Sequence, residues 1–233
     1  GRCDQRCFHF MHILLPHRPW DLLPSTRRYS PWTAYALGKQ EQWATDAWRV
    51  DQGHQQHLLQ VGATDTLLGE LMERMRSTGA WDRALFVVLA DHGVSFWEGE
   101  SMRWLDGSDH PEDLIRIPLF IKAPGQREGR IVREPTLTVD VLPIMAAHLG
   151  VDLPWSVDGC VRGLASSPAC AESEARERIM DRHDEFQPVP GDLLQRRATF
   201  ERRQALFGSR DASLYAFGPH RDLVGQKTAA LFL

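Results

Sequence analysis

The 233-residue chain has no apolar run longer than a strand, no basic tract with interleaved aromatics and little charge imbalance. The first absence leaves no transmembrane helix, because a span needs about 20 consecutive apolar residues. The opening Gly1-Arg-Cys-Asp-Gln-Arg-Cys7 also lacks the apolar centre of a signal peptide. A formal charge of -4 and the missing basic stretch give no reason to expect nucleic acid as a partner. Cysteine is scarce, and Cys3, Cys7, Cys160 and Cys170 fit no zinc spacing. Cys160 and Cys170 flank a Gly/Ser/Pro-rich loop, which is compatible with a disulfide between them and equally with two free thiols. There is no initiator Met and the chain enters an apolar stretch almost at once, which suggests a fragment. The remainder, 42% hydrophobic and 25% charged, is ordinary for a soluble globular protein.

What is there is organised around Ala84 to Gly99. Seven consecutive apolar residues, Ala84 to Ala90, suit a strand buried on both faces, and the run stops at Asp91-His92-Gly93. In an open α/β sheet, ligands bind beyond the carboxyl ends of strands. A carboxylate beside an imidazole offers two ligands for a divalent cation, and Gly93 permits a sharp turn. Taken alone, Asp-His-Gly reads equally well as an Asp capping a helix beside a solvated His.

The context is more specific. Asp91-His92-Gly93 is followed by Asp113-Leu-Ile-Arg-Ile-Pro118-Leu-Phe-Ile-Lys-Ala-Pro124-Gly125, and preceded by Leu14-Leu-Pro16-His17-Arg-Pro19-Trp20. Thr138-Val-Asp140-Val-Leu-Pro143-Ile-Met comes after. In this order the four segments, spanning roughly Phe8 to Gly159, resemble the second half of the sulfatase family within the alkaline phosphatase superfamily. The resemblance implies an α/β fold with a mostly parallel central sheet flanked by helices, truncated at the amino terminus and followed by a small antiparallel element. It implies a catalytic portion over residues 1–160 and a linker with a small subdomain over 161–233.

The resemblance also assigns roles. Asp91 and His92 become ligands of one divalent ion, with Ca²⁺ preferred over Mn²⁺, Mg²⁺ and Zn²⁺. His17 faces the substrate, and Arg103 stands near the place of a basic residue, more often Lys, that contacts the transferring group. The expected substrate is a small-molecule or glycan sulfate or phosphate ester. No Cys or Ser lies in a Cys/Ser-x-Pro-x-Arg arrangement, so the nucleophile and the first metal carboxylates are absent and these residues form half a site. The Leu-Pro-His-x-Pro-Trp variant resembles that of bacterial membrane-anchored sulfatases, which implies a parent with membrane spans and an extracytoplasmic catalytic domain; no membrane contact is expected from this segment itself. Rival readings are phosphoryl or phosphoglycerol transfer within the superfamily, and a non-catalytic binding domain.

Pattern supplies the rest. Phe8 to Leu15 reads as a buried strand ended by Pro16 and Pro19, with His9 and His12 as core or edge residues. His54 to Thr78 has helical apolar spacing stopped by Gly79, so strand, helix and the strand before Asp91 are expected to form a parallel crossover. His54 and His57 read as structural or pocket-wall residues. Trp20, Trp32, Trp43 and Trp48 suggest a pocket rim, and Arg18, Arg27 and Arg28 are candidates for an anion funnel. Glu98 and Asp109 read as solubility residues. Ile115 to Ala123 is expected as a strand, Val139 to Leu149 as a buried helix ended by Gly150, and 198–207 with 213–217 as a hairpin.

Overall fold

The computed structural model describes residues 7–29, 41–105, 108–132 and 136–161, and the backbone of 178–180 and 186–188. The dominant element is helix α1, Ala47–Ser77, about 46 Å long at 1.5 Å per residue. Asp46 starts it by accepting a hydrogen bond from the Trp48 N–H at 3.1 Å, and Gly79, at φ 68°, ends it in the left-handed conformation. The helix begins seven residues before the expected His54, because the Asp46 cap precedes the apolar periodicity.

The amino-terminal half of α1 buries Val50, Gly53, Gln60, Gly62 and Ala63. Close approach explains the glycines: a Cβ on Gly53 would lie 2.5 Å from the Trp43 ring and one on Gly62 3.0 Å from Pro24. Beside that face Trp20, Trp43, Val50, Phe96 and Met102 form the core. The Trp20 and Trp43 rings stack at 6.2 Å, and Phe96 sits 5.4–5.6 Å from both. These tryptophans are therefore core, not rim, whereas Trp48 is exposed. Each indole N–H is satisfied by a backbone carbonyl, Trp20 by Pro16 O and Trp43 by Ser95 O.

Strand β1, Phe86–Leu89, pairs with β2, Leu119–Lys122, and the pairing is antiparallel, with Phe86 opposite Lys122 and Leu89 opposite Leu119. Between them the short helix α2 spans Glu112–Ile115, so the expected strand from Ile115 is trimmed to its apolar end beyond Pro118. Lys122 reaches back to donate to Trp81 O and Ala84 O, tying the sheet to the turn after α1. Helix α3, Val141–Leu149, follows a 3-10 turn at Thr138–Asp140 and ends at Gly150, φ 61°. Buried Asp140 accepts from Leu137 N and Cys160 N, which draws the 160 segment onto the start of α3.

Several expectations are corrected. Phe8 to Leu15 forms no strand: Phe8, Phe10, Met11, Ile13 and Leu14 are exposed, as are His9 and His12. An apolar run becomes a buried strand only with a neighbour to satisfy its backbone groups and cover its side chains. Consequently no parallel crossover links it through α1 to β1, and β1 is half-buried with Leu89 exposed. A short antiparallel pair, β3, Arg178–Met180, with β4, Phe186–Pro188, lies upstream of the place where the small antiparallel element was expected. The hairpin expected at 198–217 lies outside the described residues. Cys7 and Cys160 are both disulfide-bonded, which removes the free-thiol alternative for Cys160; Cys170 lies outside the described residues.

Candidate active site

Strand β1 delivers Asp91 to its carboxyl end, where the Asp91 Oδ1 accepts from the His92 N–H at 2.9 Å. The Asp91 side chain is 80% exposed. Partial burial pushes its carboxyl up, and this is outweighed by the neighbouring His92 imidazole, the backbone N–H groups of His92 and Asp91, and Arg103, which together hold it below the ordinary carboxylate value. The turn that follows admits only glycine. A Cβ on Gly93 would lie 1.9 Å from Asp113 O, and the Gly93 N–H donates to Leu114 O at 2.7 Å. The residues before β2 are thereby clamped onto the end of β1.

His92 is fixed at both ring nitrogens. Nδ1 lies 2.6 Å from Gly93 O and Nε2 lies 3.1 Å from an Arg103 Nη. Because Arg can only donate, Nε2 is the acceptor and Nδ1 carries the proton. Arg103 also faces Glu41, Nε to Oε2 at 3.6 Å, and Glu41 pairs through its other oxygen with Arg18. Glu41 is held there by its backbone: its carbonyl accepts from Met102 N at 2.9 Å, the next residue bridges Ser101, and Trp43 N donates to Glu100 O at 2.8 Å.

Arg18 and His17 are positioned by α1. Buried Gln60 accepts from Asp21 N and Leu22 N at 3.0 and 3.3 Å and donates to His17 O at 2.5 Å. That single amide staples the Pro16–Leu22 loop to the helix, with the His17 ring exposed and bonded to Arg18 O at 2.8 Å. His92 thus touches both Asp91 and Arg103, and His17 joins them through its neighbour Arg18 and through Glu41. Arg28 is exposed on Asp21 and Arg27 is exposed, so neither shares this position with Arg18.

The loop after Gly93 has its own frame. His110 Nδ1 lies 2.6 Å from Glu100 Oε1, Ser108 donates to Glu100 Oε2 at 2.8 Å, and the His110 ring lies flat on Trp97 at 3.7 Å. Trp97 in turn donates to Asp113 at 2.8 Å. Glu98 and Asp109 are exposed, in keeping with solubility roles. His57 is half-buried against Trp20 and Phe96, and the desolvation lowers its pKa to about 4. With His54 stacked on Phe96 at 4.4 Å, both histidines are packing residues. Sequence reasoning missed Glu41 altogether, since no local pattern marks it and its partners lie far along the chain.

Residues 2–151, well over half of the chain, match the family profile described as Sulfatase. The chain belongs to the sulfatase family. It is 31% identical over 99 residues to arylsulfatase K of Danio rerio, covering 41% of this chain and 18% of that protein. It is 24% identical over 170 residues to the extracellular sulfatase SULF-1 homolog of Drosophila melanogaster, covering 64% and 15%, and 29% identical over 111 residues to choline-sulfatase of Rhizobium meliloti, covering 46% and 21%. The chain spans about a fifth or less of the length of these relatives. No solved structure matches it.

Sulfatases have an α/β fold of the alkaline phosphatase type and generally use a divalent metal ion. At the end of β1 the His92 Nδ1 is anchored on a backbone carbonyl, as in metal-binding histidines, and Nε2 lies 3.9 Å from Asp91 Oδ2, a span that donors about 2.0–2.5 Å from one centre reach. The single lone pair of Nε2 is taken here by the Arg103 guanidinium, so of the two side chains only Asp91 is open to an ion in this arrangement. Among the described residues no group of three or more His, Cys, Asp or Glu could hold an ion. Among the described residues no helix is long and apolar enough to cross a membrane.

Proposed function

We propose that this chain supplies one half of the active site of a sulfuric ester hydrolase. The contact of Asp91, His92 and Arg103 carries the reading, because it places a carboxylate, an imidazole acceptor and a guanidinium at one strand end. Asp91, joined by His92 once the Arg103 guanidinium turns from its Nε2 to the ester, would hold one divalent ion, Ca²⁺ in preference to Mn²⁺, Mg²⁺ or Zn²⁺, since an exposed carboxylate suits a hard cation. When bound, the ion supplies charge stabilisation for the ester oxygens. Arg103 donates to the negative oxygens of the transferring group, and exposed His17 offers its ring to an ester oxygen from the facing loop.

The nucleophile and the remaining metal ligands would come from another part of a longer polypeptide, which also adds the parallel strands that cover Phe8 to Leu15 and the open faces of β1. Residues 1–160 are then the carboxyl-terminal part of the catalytic domain, and 161–233 a linker and small subdomain. The test uses the full-length polypeptide that carries this chain. Hydrolysis of an aryl sulfate is expected, with a loss of about 100-fold or more for Asp91→Asn, whereas residues 1–233 alone turn over no ester. Full activity in Asp91→Asn would overturn the assignment, and turnover of phosphate esters in place of sulfate esters would move the chain to phosphoryl transfer.

A further inference from the structure

Glu41 stands where a carboxylate is least expected, inside a site that would receive an anion. It takes one guanidinium on each oxygen, Arg18 on Oε1 and Arg103 on Oε2, and the three side chains are only 25%, 30% and 27% exposed for Arg18, Arg103 and Glu41. Its place is set by the bond from Met102 N to its own carbonyl and by that from Trp43 N to Glu100 O two residues on, so the pairing follows from the fold and not from a wandering side chain. A carboxylate and a sulfate present guanidinium with the same feature, two negative oxygens in one plane. A second observation points to a ligand. Arg18 Nε is buried and has no hydrogen-bond partner, so the site holds a desolvated donor that Glu41 leaves unused.

We propose that Arg18 and Arg103 form a two-guanidinium subsite for the anionic oxygens of a sulfuric ester, and that Glu41 is its internal occupant, displaced when the ester binds. This rests on the reading of the site as an ester site. Glu41 sets the affinity of the pocket and leaves the reacting atoms alone. It also keeps the two arginines from repelling one another while the pocket is empty, which is why a competing carboxylate is retained there. Arg18 adds a second cation on the His17 side, opposite Arg103 on the His92 side.

The test is equilibrium binding of inorganic sulfate by calorimetry to the full-length protein, at one ionic strength and without turnover. Glu41→Gln should bind sulfate about fivefold to tenfold more tightly, the factor expected for removing one partly solvated charge-assisted competitor. Arg18→Gln should bind it about fivefold more weakly by the same measure. Glu73→Gln, an exposed change of the same charge on α1, should leave binding as it was. Unchanged or weaker binding by Glu41→Gln overturns the proposal, and so does an equal gain in Glu73→Gln, which would mark a general charge effect. If Glu41→Gln fails to fold, judged by near-UV circular dichroism, Arg18→Gln decides: sulfate binding equal to the parent overturns the proposal. The hydrolase reading fails separately, through an Asp91→Asn variant that keeps its activity.

Discussion

The loops around the site and the sheet beneath them are built in opposite ways. Between Pro16 and Leu22, Glu41 and Val50, and Val94 and Trp104, three distant segments interlock around Trp20, Trp43 and Phe96, tied by the Trp20 and Trp43 indole N–H groups, the Gln60 amide and backbone bridges. The β1–β2 pair and the Phe8 to Leu15 run have the more apolar sequence and yet leave Leu89, Phe120, Phe8 and Phe10 exposed. Apolar composition sets what a segment needs, and neighbours decide whether the need is met. The geometry of the candidate site therefore depends on aromatic loop packing more than on the strand that carries Asp91.

Trp43→Ala breaks the better-packed side of this contrast. It should cost about 3–5 kcal/mol in a denaturant titration, because the indole is fully buried and its N–H bond to Ser95 O goes with it. Arg103 should lose its register on Glu41 in the same variant, since the indole and its bond to Ser95 O anchor the 41–43 strip on the segment that runs to 100–102, while the main-chain bond from residue 43 to Glu100 O is left to hold it.

Acid should weaken the same region. His57 is neutral in the fold, with a pKa lowered from 6.5 to about 4 by burial, while the unfolded chain takes up a proton near the ordinary value. Its contribution is complete above pH 6.5 and is lost as pH falls from 6.5 to about 4, up to about 3 kcal/mol, with no further change below. Unfolding free energy followed from pH 7 to pH 4 should show that slope, and His57→Phe should remove most of it. An unchanged slope in His57→Phe would assign the acid sensitivity elsewhere.

The smallest effect is expected on the open side. Phe120→Ser should change stability by less than about 0.5 kcal/mol, because the ring is already 64% exposed on β2. In the longer polypeptide proposed above the same substitution should cost about 2 kcal/mol or more if additional structure covers that face, so comparing the two chains measures the cover directly.

Several elements are legible without coordinates. The stop of the apolar run at Asp91, the glycine after His92, the helical spacing of α1 and the glycines ending α1 and α3 are local features, readable because each depends on residues within a turn or two. The sequence also marked His17 and Arg103, though it could not show that Arg103 caps the His92 nitrogen. Other features were misread for one common reason. Strand partnership is not written in a strand: Val87 and Val88 suit a parallel or an antiparallel neighbour equally, and Phe8 to Leu15 has a strand's composition without a strand's partner.

By itself, then, the sequence determined the family and named the candidate residues at the end of β1, because short-range spacing and ordered motifs survive in one dimension. Only the tertiary structure decided that β2 runs antiparallel to β1, that Gln60 fastens the His17 loop, and that Glu41 joins Arg18 to Arg103. These are contacts between residues tens of positions apart, fixed by packing around Trp20, Trp43 and Phe96, and no local pattern encodes them.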